Sequence, residues 1–202
     1  MLRELVYMTN EIDFYFDFIS PYSYLAHKKI QSLPKNIKIN YKPILLGGLH
    51  NLGGITPPAF IKHKLNNMIN DCNLIAKKNK FDFTWNSKFP LNSLYIMRGY
   101  LCINSDIRNL FSSIIFEAYW KDNLDISNEQ ILTDLLKKCK IDVINFFHTI
   151  KDQKIKNELK NVTREAHDKG VFGAPTFIVN NKIFWGQDRL DYVLDEYNNK
   201  LK

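Results

Sequence analysis

The chain has 202 residues, 45% of them hydrophobic and 24% charged, which suits one good core or a small domain carrying a second. Its formal net charge is +7, yet lysines such as Lys28-Lys29, Lys77-Lys78 and Lys137-Lys138 are scattered beside acidic or polar neighbours. That pattern reads as solvated helix faces and argues against a nucleic-acid surface, while still drawing in anionic small substrates.

Cys72, Cys102 and Cys139 lie far apart, form no CxxC and match no zinc spacing, so buried free thiols and no metal site are expected. No apolar run approaches the ~20 residues that span a bilayer. The first ten residues hold only short apolar runs, so neither a membrane segment nor a signal peptide is expected, and the chain reads as cytoplasmic.

In chain order, Ile12 to Phe18 is aromatic-rich and apolar on both alternating faces apart from Asp13 and Asp17, as in a strand buried between two layers. Ser20 is placed to cap a helix beginning at Pro21, where proline is favoured. Tyr22, Leu25, Ala26, Ile30 and Leu33 keep helical spacing up to Pro34-Lys35-Asn36. Ile37, Ile39 and Tyr41 alternate as a second strand. Gly47-Gly48, Gly53-Gly54 and Pro57-Pro58 then predict a long irregular connection.

From Ala59 to about His167 the pattern is helical. Ile61 to Ala76, Leu94 to Leu101 and Ile107 to Ala118 carry apolar faces at helical spacing, and Ser127 with Gln130 makes a capping box ahead of Ile131. Asp142 to Ile150 and Ile155 to Ala166 supply two more helices. The character then changes: Phe177 to Val179 and Ile183 to Trp185 are strands around an Asn180-Asn181 turn. Asp188 is predicted to cap a closing helix through Tyr197. Strand-helix-strand, a helical block, then strand-strand-helix is an α/β thioredoxin-like fold (βαβ…ββα) with an inserted all-helical domain. Residues 11–58 and 168–202 would form the discontinuous thioredoxin-like domain and 59–167 the insertion.

Ser20 would stand where a buried strand turns into a helix, beside free N–H groups and the positive dipole end. Thioredoxin-fold oxidoreductases place a reactive CxxC cysteine there. Here the turn is Ser20-Pro21-Tyr22-Ser23, which excludes dithiol exchange but leaves a hydroxyl able to donate to a thiolate that arrives with a ligand. No His or Lys adjoins Ser20 in sequence to activate it as a nucleophile. By itself such a serine is ordinarily only a helix cap. Gly173-Ala174-Pro175-Thr176 adds a proline where the fold lays an open backbone edge opposite that helix start, a surface for a peptide-like ligand. Gln187 and Asp188, at a further helix start, could hold the zwitterionic end of a small peptide.

The strings Phe14-Tyr15-Phe16-Asp17-Phe18-Ile19-Ser20-Pro21-Tyr22-Ser23-Tyr24-Leu25, the Pro57-Pro58 loop, Gly170 to Thr176 and Trp185 to Leu190 resemble the bacterial 2-hydroxychromene-2-carboxylate isomerases and the related kappa-class glutathione transferases, of DsbA-like thioredoxin fold. The likeness of layout spans nearly the whole chain. It implies glutathione as cofactor, a small-molecule substrate and a homodimer. By that resemblance Ser20 holds the glutathione sulfur as thiolate and Tyr22 helps shape the pocket. Ala174, ahead of a cis Pro175, pairs with the glutathione backbone, and Gln187 with Asp188 binds the γ-glutamyl end. It further implies an isomerase of aromatic-degradation type, in which the thiolate adds reversibly, a bond rotates and the thiol leaves. A kappa-like transferase consuming glutathione, and a cysteine-less binding module, are the alternatives. One departure stands out: relatives often carry an Asn shortly before the Pro-Pro pair, where this chain has Gly54, Ile55 and Thr56, with Asn51 displaced.

Overall fold

Ile12–Phe16 forms strand β1 inside a four-stranded sheet in the computed structural model, which describes residues 11–199. The expectation of no signal peptide in the first ten residues, and the last three residues of the 168–202 segment, lie outside the described residues. Strand β2 (Ile39–Pro43) runs parallel to β1, with Phe14 opposite Tyr41. On its other side β1 pairs antiparallel with β3 (Thr176–Val179), and β3 with β4 (Lys182–Trp185), in the order β2-β1-β3-β4. The helices are α1 (Pro21–Ile30), α2 (Leu46–Leu52), α3 (Lys62–Asn79), α4 (Leu94–Cys102), α5 (Ser105–Trp120), α6 (Glu129–Lys138), α7 (Val143–Thr149), α8 (Gln153–Asp168) and α9 (Leu190–Tyr197). This is the α/β thioredoxin fold, β1-α1-β2 and then β3-β4-α9, with α3 to α8 between the halves.

The central strand is covered on both faces, as its unbroken apolar text requires. Phe14 stacks on Phe177 at 5.2 Å between ring centroids, Phe16 meets Tyr100 edge-on at 5.2 Å, and Phe18 meets Phe116 at 4.8 Å. Such pairs contribute about 0.5–1.5 kcal/mol each beyond their buried area. Because Tyr100 and Phe116 belong to α4 and α5, the helical block and the sheet share one core. On the opposite face Tyr15 packs with Ile44, Leu49, Ala166 and Val171. The Trp120 indole N–H donates to the Phe18 carbonyl at 2.9 Å, so the turn leading to Ser20 is pinned to the end of α5.

Several boundaries differ from the sequence expectation. Strand β1 stops at Phe16, two residues before Phe18, because Asp17 to Ile19 turn the chain and the Ser20 N–H donates to the Asp17 carbonyl at 3.0 Å. Helix α1 ends at Ile30, and Leu33 sits in the following turn. The stretch with Gly47-Gly48 is a helix, α2, rather than irregular. Its start is held by tertiary acceptors: Leu45 N–H donates to Thr163 Oγ1 at 3.0 Å and Leu46 N–H to Asp17 Oδ2 at 2.8 Å. The cap of α6 is Asn128, not Ser127, its side chain accepting from the N–H groups of Gln130 and Ile131. Asp188 does not cap α9. A 3-10 turn, Gln187–Arg189, precedes that helix, and the Asp188 carboxylate pairs with Arg189 at 3.3 Å. Cys72 and Cys139 are buried and Cys102 half-buried, all three free.

On the buried side of α1 lies the imidazole of His27, its Nδ1 2.7 Å from the Tyr41 hydroxyl and its Nε2 3.2 Å from Ser113 Oγ. Ser113 donates its own proton to the Asn109 carbonyl at 2.9 Å, so His27 carries its proton on Nε2 and accepts from Tyr41. Burial, with Lys28 nearby, pushes this imidazole down to about 3. The unfolded chain therefore takes up a proton below about 6.5 that the fold refuses, and stability falls as pH drops from there toward 3. Asp17 has the opposite sign. Burial pushes its carboxyl up to about 6, so its contribution is present at low pH and is lost as pH rises through 6. Denaturant midpoints measured across pH should separate the two: wild-type stability relative to His27→Gln should fall by up to about 1.4 kcal/mol per pH unit between about 6.5 and 3.

Candidate active site

Ser20 terminates the β1 turn and opens α1 with Pro21 as its first residue. Its extended backbone lets Oγ reach forward, accepting from the Ser23 N–H at 3.1 Å, so the cap reading holds. The same oxygen donates to the Ala174 carbonyl at 2.8 Å. Ala174 precedes Pro175 through a cis peptide bond, and the Pro175 carbonyl accepts from Gly186 N–H at 3.0 Å, which ties this segment to the end of β4. The helix start and the segment before β3 thus face one another, as the fold requires. At Gly173 close approach explains the residue type: an added Cβ would lie 2.7 Å from the Trp185 indole nitrogen. Trp185 in turn packs against Phe172 at 5.0 Å between centroids.

In front of Ser20 lies a cavity of about 750 Å³. Ser20, Tyr22 and Ala174 line it, as expected of them. Pro175, Gln187 and Asp188 are not among the lining residues. Gln187 is buried with its side-chain oxygen accepting from the Lys29 ammonium at 2.6 Å. The Tyr22 ring forms part of the wall, while its hydroxyl donates to Asp71 at 2.8 Å; burial raises its pKa first, and that bond adds to the rise. Tyr22 therefore shapes the site as a neutral ring.

The structure adds lining residues beyond those three, of which His50, Phe60, Lys64 and the segment Phe89 to Ser93 were not singled out in the sequence. From α2 come Gly47, His50 and Asn51, and from α3 the cation Lys64. The opposite wall is the segment Phe89 to Ser93, with Phe60 and the Pro57-Pro58 pair at the side. Asn51, displaced in sequence from the position where relatives carry an Asn, reaches the cavity through α2, and Ile55 and Thr56 also line it. Only Lys64 carried a chemical signal in the sequence, and there it was one of many helical lysines.

Asp17 is fully buried three residues before Ser20 and accepts from Ile19 N–H at 3.2 Å, Leu46 N–H at 2.8 Å and Ser93 Oγ at 3.1 Å. Two of those donors belong to opposite walls of the cavity, α2 and the Phe89 to Ser93 segment. Desolvation lifts its pKa to about 6 against the lowering by these donors, so the group is ionised at neutral pH and held by them. Among the described residues no cluster of His, Cys, Asp and Glu could hold a metal ion, and no helix is long and apolar enough to cross a membrane.

Residues 11–198 match the family described as the DSBA-like thioredoxin domain. The chain belongs to that family. This DSBA-like chain is 29% identical over 190 residues to the 2-hydroxychromene-2-carboxylate isomerase of Sphingobium xenophagum, a match covering 92% of this chain and 97% of that one. It is 28% identical over 203 residues to the glutathione S-transferase kappa 1 of Caenorhabditis elegans, covering 91% and 89% of the two chains. A solved 2-hydroxychromene-2-carboxylate isomerase superposes with a TM-score of 0.84 at 25% identity, covering 94% of this chain and 95% of that structure. The sequence resemblance and the DSBA-like fold agree, over almost all of the described chain.

If Asp17 joins the two walls, removing it leaves buried donors without an acceptor, each costing about 1–3 kcal/mol. Asp17→Ala should destabilise the protein by roughly 2–4 kcal/mol in denaturant unfolding, with hydrogen exchange at the Leu46 amide rising first.

Proposed function

We propose that the chain is a glutathione-dependent isomerase of the 2-hydroxychromene-2-carboxylate type, acting on an aromatic-derived small molecule. The observation that carries this reading is the Ser20 hydroxyl, set at the start of α1, bonded to the Ala174 carbonyl and facing the cavity. Glutathione, when bound, supplies the nucleophilic sulfur that this chain lacks at the Ser-Pro-Tyr-Ser turn.

The site fits such a tripeptide in three respects. A volume of about 750 Å³ lies within the range of small-molecule sites. Its lining carries Lys64 and no carboxylate, so an anionic ligand meets attraction rather than repulsion. The backbone at Ala174 and Pro175 extends beyond β3 as an edge for a peptide to lie along. In this reading Ser20 turns its proton from the Ala174 carbonyl to the sulfur, and the helix dipole favours the charged form. Tyr22 bounds the sulfur pocket. Gln187 and Asp188 lie outside the cavity lining, so in this reading they hold the γ-glutamyl end where glutathione extends past Ala174 to the 3-10 turn before α9.

A kappa-like transferase is the second reading, favoured by the nearly equal identity to the kappa 1 transferase. The two part on stoichiometry: an isomerase needs glutathione in catalytic amount, whereas net consumption with an electrophile identifies a transferase. Calorimetry with glutathione tests both against a binding module of other specificity, which would give no heat. Ser20→Ala should lose about 1 kcal/mol of stability through the cap. It should also raise the thiol pKa of bound glutathione, read from ultraviolet thiolate absorbance, and lower kcat on the order of 10²-fold, as for loss of one preorganised donor. An unchanged thiol pKa in that variant would remove Ser20 from the mechanism.

A further inference from the structure

Helix α2 lines the cavity with Leu46, Gly47, Gly48, His50 and Asn51, of which Gly47 lies three and four residues before His50 and Asn51 and so shares a face with them. Leu49 points the other way, buried with Tyr15, Ala166 and Val171, which fixes the rotation of this short helix. A Cβ added at Gly47 would meet no atom within 4 Å, so the face is bare one turn before His50 and leaves room for a ligand against the backbone. The start of the helix is held by Asp17, three residues from Ser20, together with Thr163, so the carboxylate ties the helix that carries His50 to the Ser20 turn.

His50 is only 8% exposed, and neither ring nitrogen has a hydrogen-bond partner in the protein among the described residues. Its ring nitrogens are not sealed from solvent, and the residue lines the cavity. Burial holds the imidazole below its ordinary value, so at neutral pH it is uncharged, with one N–H to donate. Tyr22 and Lys64 are the other titratable groups of the lining, and Tyr22 is already bonded to Asp71. Among the described lining residues His50 is thus the neutral ring N–H that α2 contributes. A neutral imidazole is well suited to polarise a carbonyl, since it stabilises charge developing on oxygen without first having to be protonated.

We propose that His50 is the electrophilic residue of the acceptor half-site, its ring N–H donating to the carbonyl oxygen of an α,β-unsaturated carbonyl compound lying over Gly47. This rests on reading Ser20 as the thiolate site. When sulfur adds at the β-carbon, a C–S bond forms and the C=C pair moves onto the carbonyl oxygen, where His50 holds the charge by its hydrogen bond and keeps its proton. Return of the pair breaks the C–S bond and restores the C=C after rotation about what was briefly a single bond. No oxidant, reductant or external proton is needed. His50 acts on the same reacting group as Ser20 from the other side: one holds the sulfur, the other the oxygen.

The experiment uses an unreactive saturated ketone analogue, glutathione and the variants His50→Leu and His50→Gln. In wild type the carbonyl stretch of the bound analogue should shift to lower frequency, and the shift should vanish in His50→Leu and survive in part in His50→Gln. With an α,β-unsaturated ketone as substrate, kcat of His50→Leu should drop on the order of 10²-fold, with glutathione affinity by calorimetry unchanged, which also certifies the variant's fold. If His50→Leu misfolds, the same readings are taken on His50→Gln alone. An unshifted carbonyl in wild type, or turnover of His50→Leu within about twofold of wild type, overturns the His50 assignment and leaves Ser20 in place. Failure of wild type to bind glutathione overturns the thiolate reading itself, and this inference with it.

Discussion

Ser20 Oγ joins two pieces of chain that lie 154 positions apart, the start of α1 and the segment before β3. The hydroxyl accepts from the first turn of its own helix and donates to Ala174, so one group serves as cap and as donor at once. A side chain with only an acceptor would cap α1 but leave Ala174 unheld. One with only a donor would do the reverse. A cysteine would make both bonds weakly, which is a physical reason why a hydroxyl can occupy this position when the sulfur comes from a ligand.

The second constraint is Asp17. A fully buried carboxylate is costly, and it is retained in the ionised state only because donors converge on it. Those donors come from the turn after β1, the start of α2 and the segment before α4, which makes this one group the common anchor of the cavity walls. Helix α2, with two glycines in seven residues, has little intrinsic tendency to form and depends on that anchor together with Thr163. The pinning of Phe18 by Trp120 completes the frame, since it holds the strand end from which both Asp17 and Ser20 project.

Within that frame the cavity is chemically lopsided. Among the described residues its lining offers four hydroxyl side chains, Ser20, Tyr22, Thr56 and Ser93, an uncharged imidazole, one ammonium and two amides, with aromatic and aliphatic surface between them and no carboxylate. Such a lining favours anionic and polarisable ligands and disfavours cations. Phe172 and Trp185 add apolar surface beside Ala174, close to where an aromatic acceptor would lie next to the Ser20 hydroxyl.

How much of this was legible before folding depends on the range of the interaction concerned. The aromatic text of Ile12 to Phe18, the Ser-Pro helix start and the Asn180-Asn181 turn, both of whose residues adopt positive φ, are local signals, and they determined the order of strands and helices and hence the thioredoxin plan. Ser20 and Ala174 could be named as lining residues because that plan places a helix start opposite a proline-bearing edge, and Tyr22 because of the family resemblance. The sequence alone did not reveal α2, because glycines favour a loop locally and the acceptors that override them, Asp17 and Thr163, are distant in the chain. Nor did it show that Asp188 would pair with Arg189 instead of capping α9, or that Gln187 would be bound to Lys29, since those choices turn on a 3-10 turn whose geometry comes from packing. His50 and Lys64 are unremarkable letters in the text. Only the tertiary structure gave them a role, by placing one beside the cavity without a protein partner and the other as its cation, both among the described residues, because burial and pairing are properties of the packed whole.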